Sequence, residues 1–333
     1  MCNTIACHSS ATDNQTVFMR FVARLKKVFN PYCVGFMMIY VGNYFLAAKL
    51  KLYNTDETLA IFIVIGVAFS AISYYLTRKS TPITMRAGCR KNEIYVLGAL
   101  LVFVSITLIF GSNTLFPTPA QPGQTSEAAT LTGKVLIFVI IPFLVYHRLF
   151  RFKPSDFGLT TNWKSVFTGR NLVVFLVISL LFVLLNYYGG SGARPIREGH
   201  YAMSQLLTAA PLLFVWLLIE VGLVEEFFFR GLLQNRLAVF LKSDIGAICI
   251  TALLFGIIHA PGMYFRGAGV VEGLGSSPPF LTVISYCIAV QAVPGLFLGI
   301  IWSKTRNLWL LMAIHAMIDL LPSLPEFIGI WNI

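Results

Sequence analysis

Val224-Glu225-Glu226-Phe227-Phe228-Phe229-Arg230 lies between two largely apolar runs, residues 211–224 and 232–241. Three charges within six residues therefore fall inside a stretch that reads as membrane-embedded. One charged side chain at the centre of a bilayer costs about 2.5–3.5 kcal/mol on insertion scales. A chain that keeps three must pair them, enclose them in protein, or use them. Two further polar clusters recur downstream in the same setting, Phe255-Gly-Ile-Ile-His259 and His315-Ala-Met-Ile-Asp319. Together the three clusters point to a water-handling site inside a helical bundle.

The rest of the chain agrees with a membrane reading. Of 333 residues, 57% are hydrophobic and 12% charged, with a mean hydropathy of +0.76. Soluble domains are about 25% charged. Nine apolar stretches approach the length needed to cross about 30 Å of hydrocarbon. They fall near 32–50, 59–76, 94–111, 131–150, 171–188, 205–241, 245–265, 280–303 and 308–321. Pro322 and Pro325 are expected to turn residues 322–331 into an irregular tail. The expected fold class is all-α, a polytopic transmembrane helical bundle of about nine spans.

Charge gives the sign of the topology. With the N-terminus in the cytoplasm, nineteen Lys and Arg residues fall on that side and six on the other. Such a split is what the positive-inside rule expects. The net charge of +11 thus follows the bilayer, and no nucleic-acid partner is expected. The loop 112–130, with Pro117, Pro119 and Pro122 and no Lys or Arg before Lys134, reads as external. Asn186, Tyr187 and Tyr188 read as an interfacial belt. The first 16 residues are polar and show no cleavable-signal pattern. The first span is expected to act as the insertion signal and stay. Residues 16–29 place Val17, Phe18, Phe21, Val22, Leu25, Val28 and Phe29 on one helical face, with Arg20, Arg24, Lys26 and Lys27 opposite. That pattern fits a helix lying on an anionic leaflet. The chain divides into a tail with this helix (1–31), accessory spans (32–130) and a catalytic portion (131–333).

The six cysteines show no metal spacing. Cys2 and Cys7 with His8 could ligate a metal or carry an acyl chain, against the plainer reading of a free tail. No internal repeat of broken spans appears, which weighs against a transporter of inverted repeats.

Glu226 and Arg230 are four apart and share a helix face, so they can pair. Glu225 points about 100° away and is left to face a cavity, where it suits general-base work on water. Glu225 lies about 24 Å from residue 241 along its helix and His259 about 21 Å from residue 245 along the next. Consecutive antiparallel helices would bring the two together. His315 and Asp319 share a face of the last span, and Asp319 could fix the tautomer of His315. His315 lies only about 10 Å from residue 308, shallower than Glu225, so tilt or a re-entrant 304–307 turn must supply the difference. Glu220 reads as a pairing residue beside the cavity, and His147 and His200 as non-catalytic.

Glu-Glu-x-x-x-Arg, Phe-x-x-x-His and His-x-x-x-Asp, in that order on apolar spans, resemble the CPBP (ABI) family of type II CAAX prenyl endopeptidases and bacteriocin-processing or immunity proteins. The resemblance covers roughly residues 130–333. It implies that Glu225 and His259 activate a water, that Glu226 and Arg230 support Glu225, and that His315 and Asp319 form the oxyanion side. CAAX proteases carry Asn where this chain has Asp319, and a carboxylate donates no hydrogen bond unless protonated. Asp319 is therefore expected to hold His315 rather than to bind the oxyanion. The family is described both as metalloproteases and as metal-independent glutamate proteases. No His-Glu-x-x-His is present, and no cofactor is assigned. A zinc ion, if bound, would use Glu225, His259 and His315. The expected partners are the lipid bilayer and a membrane-associated or prenylated peptide. The expected place is a bacterial inner (plasma) membrane, with the site reached from the cytoplasmic side. A non-catalytic immunity or scaffold protein and a proton-coupled transporter remain as rivals.

Overall fold

The computed structural model describes residues 30–86, 88–111, 123–266, 274 and 277–333. The amphipathic stretch 16–29, the Cys2–Cys7–His8 cluster and residues 112–122 of the proposed external loop lie outside the described residues. Among the described residues there is no strand, and nine helices are long and apolar enough to cross a membrane. They are α1 (Pro31–Leu50), α2 (Thr55–Thr77), α3 (Lys91–Phe110), α4 (Gln124–Phe150), α5 (Gly169–Gly189), α6 (Met203–Leu241), α7 (Asp244–Phe265), α8 (Phe280–Thr305) and α9 (Leu308–Trp331). The protein is an integral membrane protein.

Local signals start and stop these helices. Asn54, Thr168, Ser243 and Asn307 each accept a hydrogen bond from a backbone N–H in the first turn that follows, satisfying donors that a helix start leaves orphaned. At the other ends, Lys51, Arg151, Lys242 and Arg306 follow α1, α4, α6 and α8 with φ between 50° and 61°. A non-glycine residue in that region carries some strain. A cation there meets the negative end of the helix dipole.

α7 and α8 form the centre, with 50% and 56% of their apolar window buried, against 17–22% in α1 to α5. Small residues let them approach. A Cβ on Gly256 would stand 2.7 Å from the Ala292 nitrogen, and one on Gly295 2.8 Å from the Ala252 Cα. Lipid supplies no hydrophobic drive between helices, so such close packing is the main attraction. α6 runs for 39 residues, about 58 Å at 1.5 Å per residue, and its second half is enclosed all round. Phe227, Phe228, Phe229, Leu232 and Leu233 are all buried, as are Arg230 and Arg236.

The connection from α4 to α5 folds back over the bundle. Phe152, Phe157 and Val166 are buried in it. Gly158 (φ +85°) leaves no room for a side chain against Trp302. This segment covers the turn between α8 and α9: Leu308 N–H donates to Gly158 O, Asn307 Nδ2 to Val166 O, and Trp309 Nε1 to Thr160 O. Thr305, Asn307 and Leu308 are consequently buried.

Two expectations need correction. The last span does not end at residue 321, because α9 is helical through Pro322 and Pro325 to Trp331. A proline at 322 cannot donate to the carbonyl of residue 318. Asn186 Nδ2 donates to Ile318 O at 2.8 Å in its place. Asn186 is therefore not simply part of an interfacial belt: its side chain turns inward from α5 to complete α9. Second, α4 begins at Gln124, so the loop expected over 112–130 is helical from 124 onward.

Candidate active site

The Glu225 carboxylate is the centre of the cluster. Its Oε1 lies 3.9 Å from His259 Nε2 and its Oε2 3.8 Å from His315 Nε2. Both distances exceed a direct hydrogen bond and fall in the range in which polar groups are commonly linked through water. The carboxylate is about one-fifth exposed and His259 about one-quarter, so the group is accessible. The backbone around it helps to aim it. Val224–Glu226 is one α-helical turn between two π-helical stretches, Leu218–Leu223 and Phe227–Gln234. Such bulges gather at functional positions because they shift the register of side chains along a helix.

His259 sits where α7 is locally interrupted. Its N–H bonds Gly256 O rather than Phe255 O, and Phe255 O instead meets His259 Nδ1 at 2.7 Å. A carbonyl only accepts, so Nδ1 carries the proton and Nε2 faces Glu225. Phe255 also presents its ring to Arg230, whose guanidinium carbon lies 4.4 Å from the ring centroid.

Glu226 lies behind this layer and is fully buried with Arg230. Its Oε1 accepts from Arg230 Nη1 at 2.8 Å, as the i, i+4 spacing predicts. The same oxygen meets His315 Nδ1 at 2.6 Å. Among the described residues, Arg230 Nε and Nη2 find no hydrogen-bond partner, so the cation rests there on the Glu226 contact and the Phe255 ring. The i, i+4 spacing points to Asp319 as the group that orients His315. The structure gives the nearest contact to Glu226, with Asp319 Oδ2 3.7 Å from His315 Nε2. Glu226 and His315 are 89 residues apart, and no spacing rule links them.

The depth mismatch of His315 also resolves. The turn at 306–307 lies under the α4–α5 connection, and Arg306 Nη1 reaches Asn235 Oδ1, six residues before the end of α6. α9 therefore starts inward of residue 241, so an inward turn of the kind expected over 304–307 makes up the difference in depth.

Asp319 opens on a cavity of about 200 Å³ that Glu220, Ser323, Glu326, Trp216 and Trp331 help to line. Glu220 is a pairing residue as expected: its carboxylate accepts from Lys134 Nζ at 2.7 Å and Trp216 Nε1 at 2.8 Å. His147 Nδ1 meets Phe152 O at 2.8 Å, outside the cluster. His200 lies in the α5–α6 connection beside Glu198.

The suggested zinc set does not converge. Among the described residues no group of three or more His, Cys, Asp or Glu side chains could hold a metal ion. Zinc ligands surround the ion at about 2.0–2.2 Å, and Glu225 presents a different oxygen to each histidine. No step below runs through a metal.

Residues 206–321 match the family model described as Type II CAAX prenyl endopeptidase Rce1-like. The match takes in all six clustered side chains and about a third of the chain. Over that stretch the protein is similar to the Rce1-like endopeptidases, in line with the resemblance read from the three motifs. No curated protein and no solved structure matches the chain.

Proposed function

We propose that the protein is an intramembrane endopeptidase in which Glu225 and His259 activate a water for attack on a peptide carbonyl. The family match supports a peptidase. The observation that carries the residue roles is the placement of two imidazoles, one on each oxygen of Glu225, at 3.8–3.9 Å. Glu225 takes a proton from a water held against His259 Nε2, and the resulting hydroxide attacks the carbonyl carbon. The oxyanion that forms faces His315. With His315 Nδ1–H given to Glu226, Nε2 donates from the imidazolium form, and preorganised donors of this kind are a large catalytic term. Glu225 then returns its proton to the departing amine as the carbon–nitrogen bond breaks. Arg230 holds Glu226 in place through the Nη1 contact, and Asp319 stands beside Nε2 as a further acceptor.

The proposed substrate is a membrane-associated peptide, with a prenylated C-terminus as the class that the family implies, and the proposed location is a bacterial inner membrane. The zinc alternative has its own test: activity lost on chelation and restored by zinc would recast these side chains as ligands. Comparative proteomics of cells carrying the wild type or Glu225→Ala tests the main proposal. An uncut precursor should accumulate in the variant. Identical peptide termini in both strains would leave a scaffold of the same fold as the better reading.

A further inference from the structure

A second cavity, of about 370 Å³, lies at the opposite end of the bundle from the acid-lined one. It is bounded by Tyr75, Leu76, Arg78 and Lys79 at the end of α2 and by Gly169, Arg170 and Val173 at the start of α5. The three cations are exposed. None of them forms an ion pair with a carboxylate among the described residues, although Arg78 stacks over the Tyr75 ring at 4.1 Å. Three like charges around one opening repel each other unless an anion joins them. The first turn of α5, a 21-residue helix, adds the positive end of its dipole.

Its surroundings place the cavity at the edge of the hydrocarbon. Tyr74, Tyr75, Trp163 and Phe167 are all exposed near this end, the arrangement of an aromatic belt. Lys304 lies over the Tyr74 ring at 5.6 Å. Just beyond the cavity, α2 and α5 present apolar faces, with Ile63, Val67, Leu172 and Leu176 exposed. A ligand with a phosphate at one end and acyl chains at the other would satisfy both parts.

We propose that Arg78, Lys79 and Arg170 form a phosphate-binding site at the membrane boundary, one that takes an anionic glycerophospholipid headgroup. Basic pockets between helix ends on the positively charged side of a membrane protein bind such headgroups. A free phosphate anion shares the same chemistry, so the test separates the two sources.

The full chain is purified in detergent, and its thermal unfolding is followed with added phosphatidylglycerol, phosphatidylcholine or inorganic phosphate. Phosphatidylglycerol should stabilise the wild type more than phosphatidylcholine does. The triple change Arg78→Gln, Lys79→Gln, Arg170→Gln should erase that preference, with binding weakened about fivefold per cation removed. A control removes three exposed cations from the same end but outside the cavity, Arg148→Gln, Lys153→Gln and Lys164→Gln, and should keep it. If inorganic phosphate alone protects the wild type and displaces the lipid, the site stands but its ligand is the free anion. Equal loss of preference in both triple variants, or no loss in the cavity variant, overturns the site. The cavity residues lie outside the Glu225 cluster, so the result does not depend on the protease reading.

Discussion

Glu225 and its two imidazoles set the residue-scale expectation. Glu225→Gln keeps the size of the side chain and removes the base, and His259→Ala removes its partner. Each single change should lower cleavage by at least about a hundredfold, the usual scale for general-base catalysis. The double variant should be no worse than either, because groups that act as one unit are not additive. Cleavage is read on the precursor found by proteomics, and protein level should stay near that of the wild type. Asp319→Asn should retain substantial activity, since the Glu226 contact, at 2.6 Å rather than 3.7 Å, holds His315. A dead Asp319→Asn variant of normal abundance would move the orienting role back to Asp319.

At the scale of elements, two contacts decide whether the helices carrying the site meet correctly. Gly222 is three residues before Glu225, and a Cβ there would stand 2.8 Å from the Met312 carbonyl oxygen, three residues before His315. Gly222→Ala should therefore push α6 and α9 apart at the level of Glu225 and His315. We expect a stability loss of about 1–3 kcal/mol, measured by thermal unfolding, and a larger loss of cleavage than abundance explains. An alanine variant with full activity would show that the helices can slide without moving the site. The second contact is that of Asn186 with Ile318 O. Asn186→Leu strands a carbonyl, at a cost of about 1–3 kcal/mol. Pro322→Ala in the same chain returns a local N–H to that carbonyl and should restore most of the loss. A double-mutant cycle with no coupling would remove this account of how α9 continues through its prolines.

For the whole molecule, the distribution of charge sets the expected direction of the bundle. The positive-inside count predicts that 151–168 is cytoplasmic and 112–122 external. In cells whose native cysteines have been replaced, an impermeant thiol reagent should label Gln121→Cys and leave Lys164→Cys untouched. The opposite pattern would invert the topology. The outcome also bears on access. The cavity on which Asp319 opens lies at the end of the bundle where Gln124 Nε2 bonds Ile330 O, the end away from 151–168. With the N-terminus inside, that cavity faces outward, at odds with entry from the cytoplasm. Labelling that inverts the bundle would reconcile the two expectations; labelling as predicted would make the acid-lined cavity an external route.

The sequence by itself determined the class of fold, because nine apolar stretches of sufficient length leave the backbone no alternative to helices in a membrane. It also singled out the side chains that the structure brings near one another. Glu225, Glu226, Arg230, His259, His315 and Asp319 are charged or titratable groups at positions where burial is costly, and the Glu226–Arg230 pair follows from helical spacing alone. The extension of α9 was hidden, because local rules say that proline ends a helix and the rescuing amide of Asn186 is 132 residues away. The contact of Glu226 with His315 was hidden for the same reason. The depth of His315 is not legible either, because helix rise counts from the end of a span and the 306–307 turn is covered by a connection folded back from elsewhere. Only the tertiary structure decided these points: they depend on which distant segments share a neighbourhood, and helical periodicity holds no information about that.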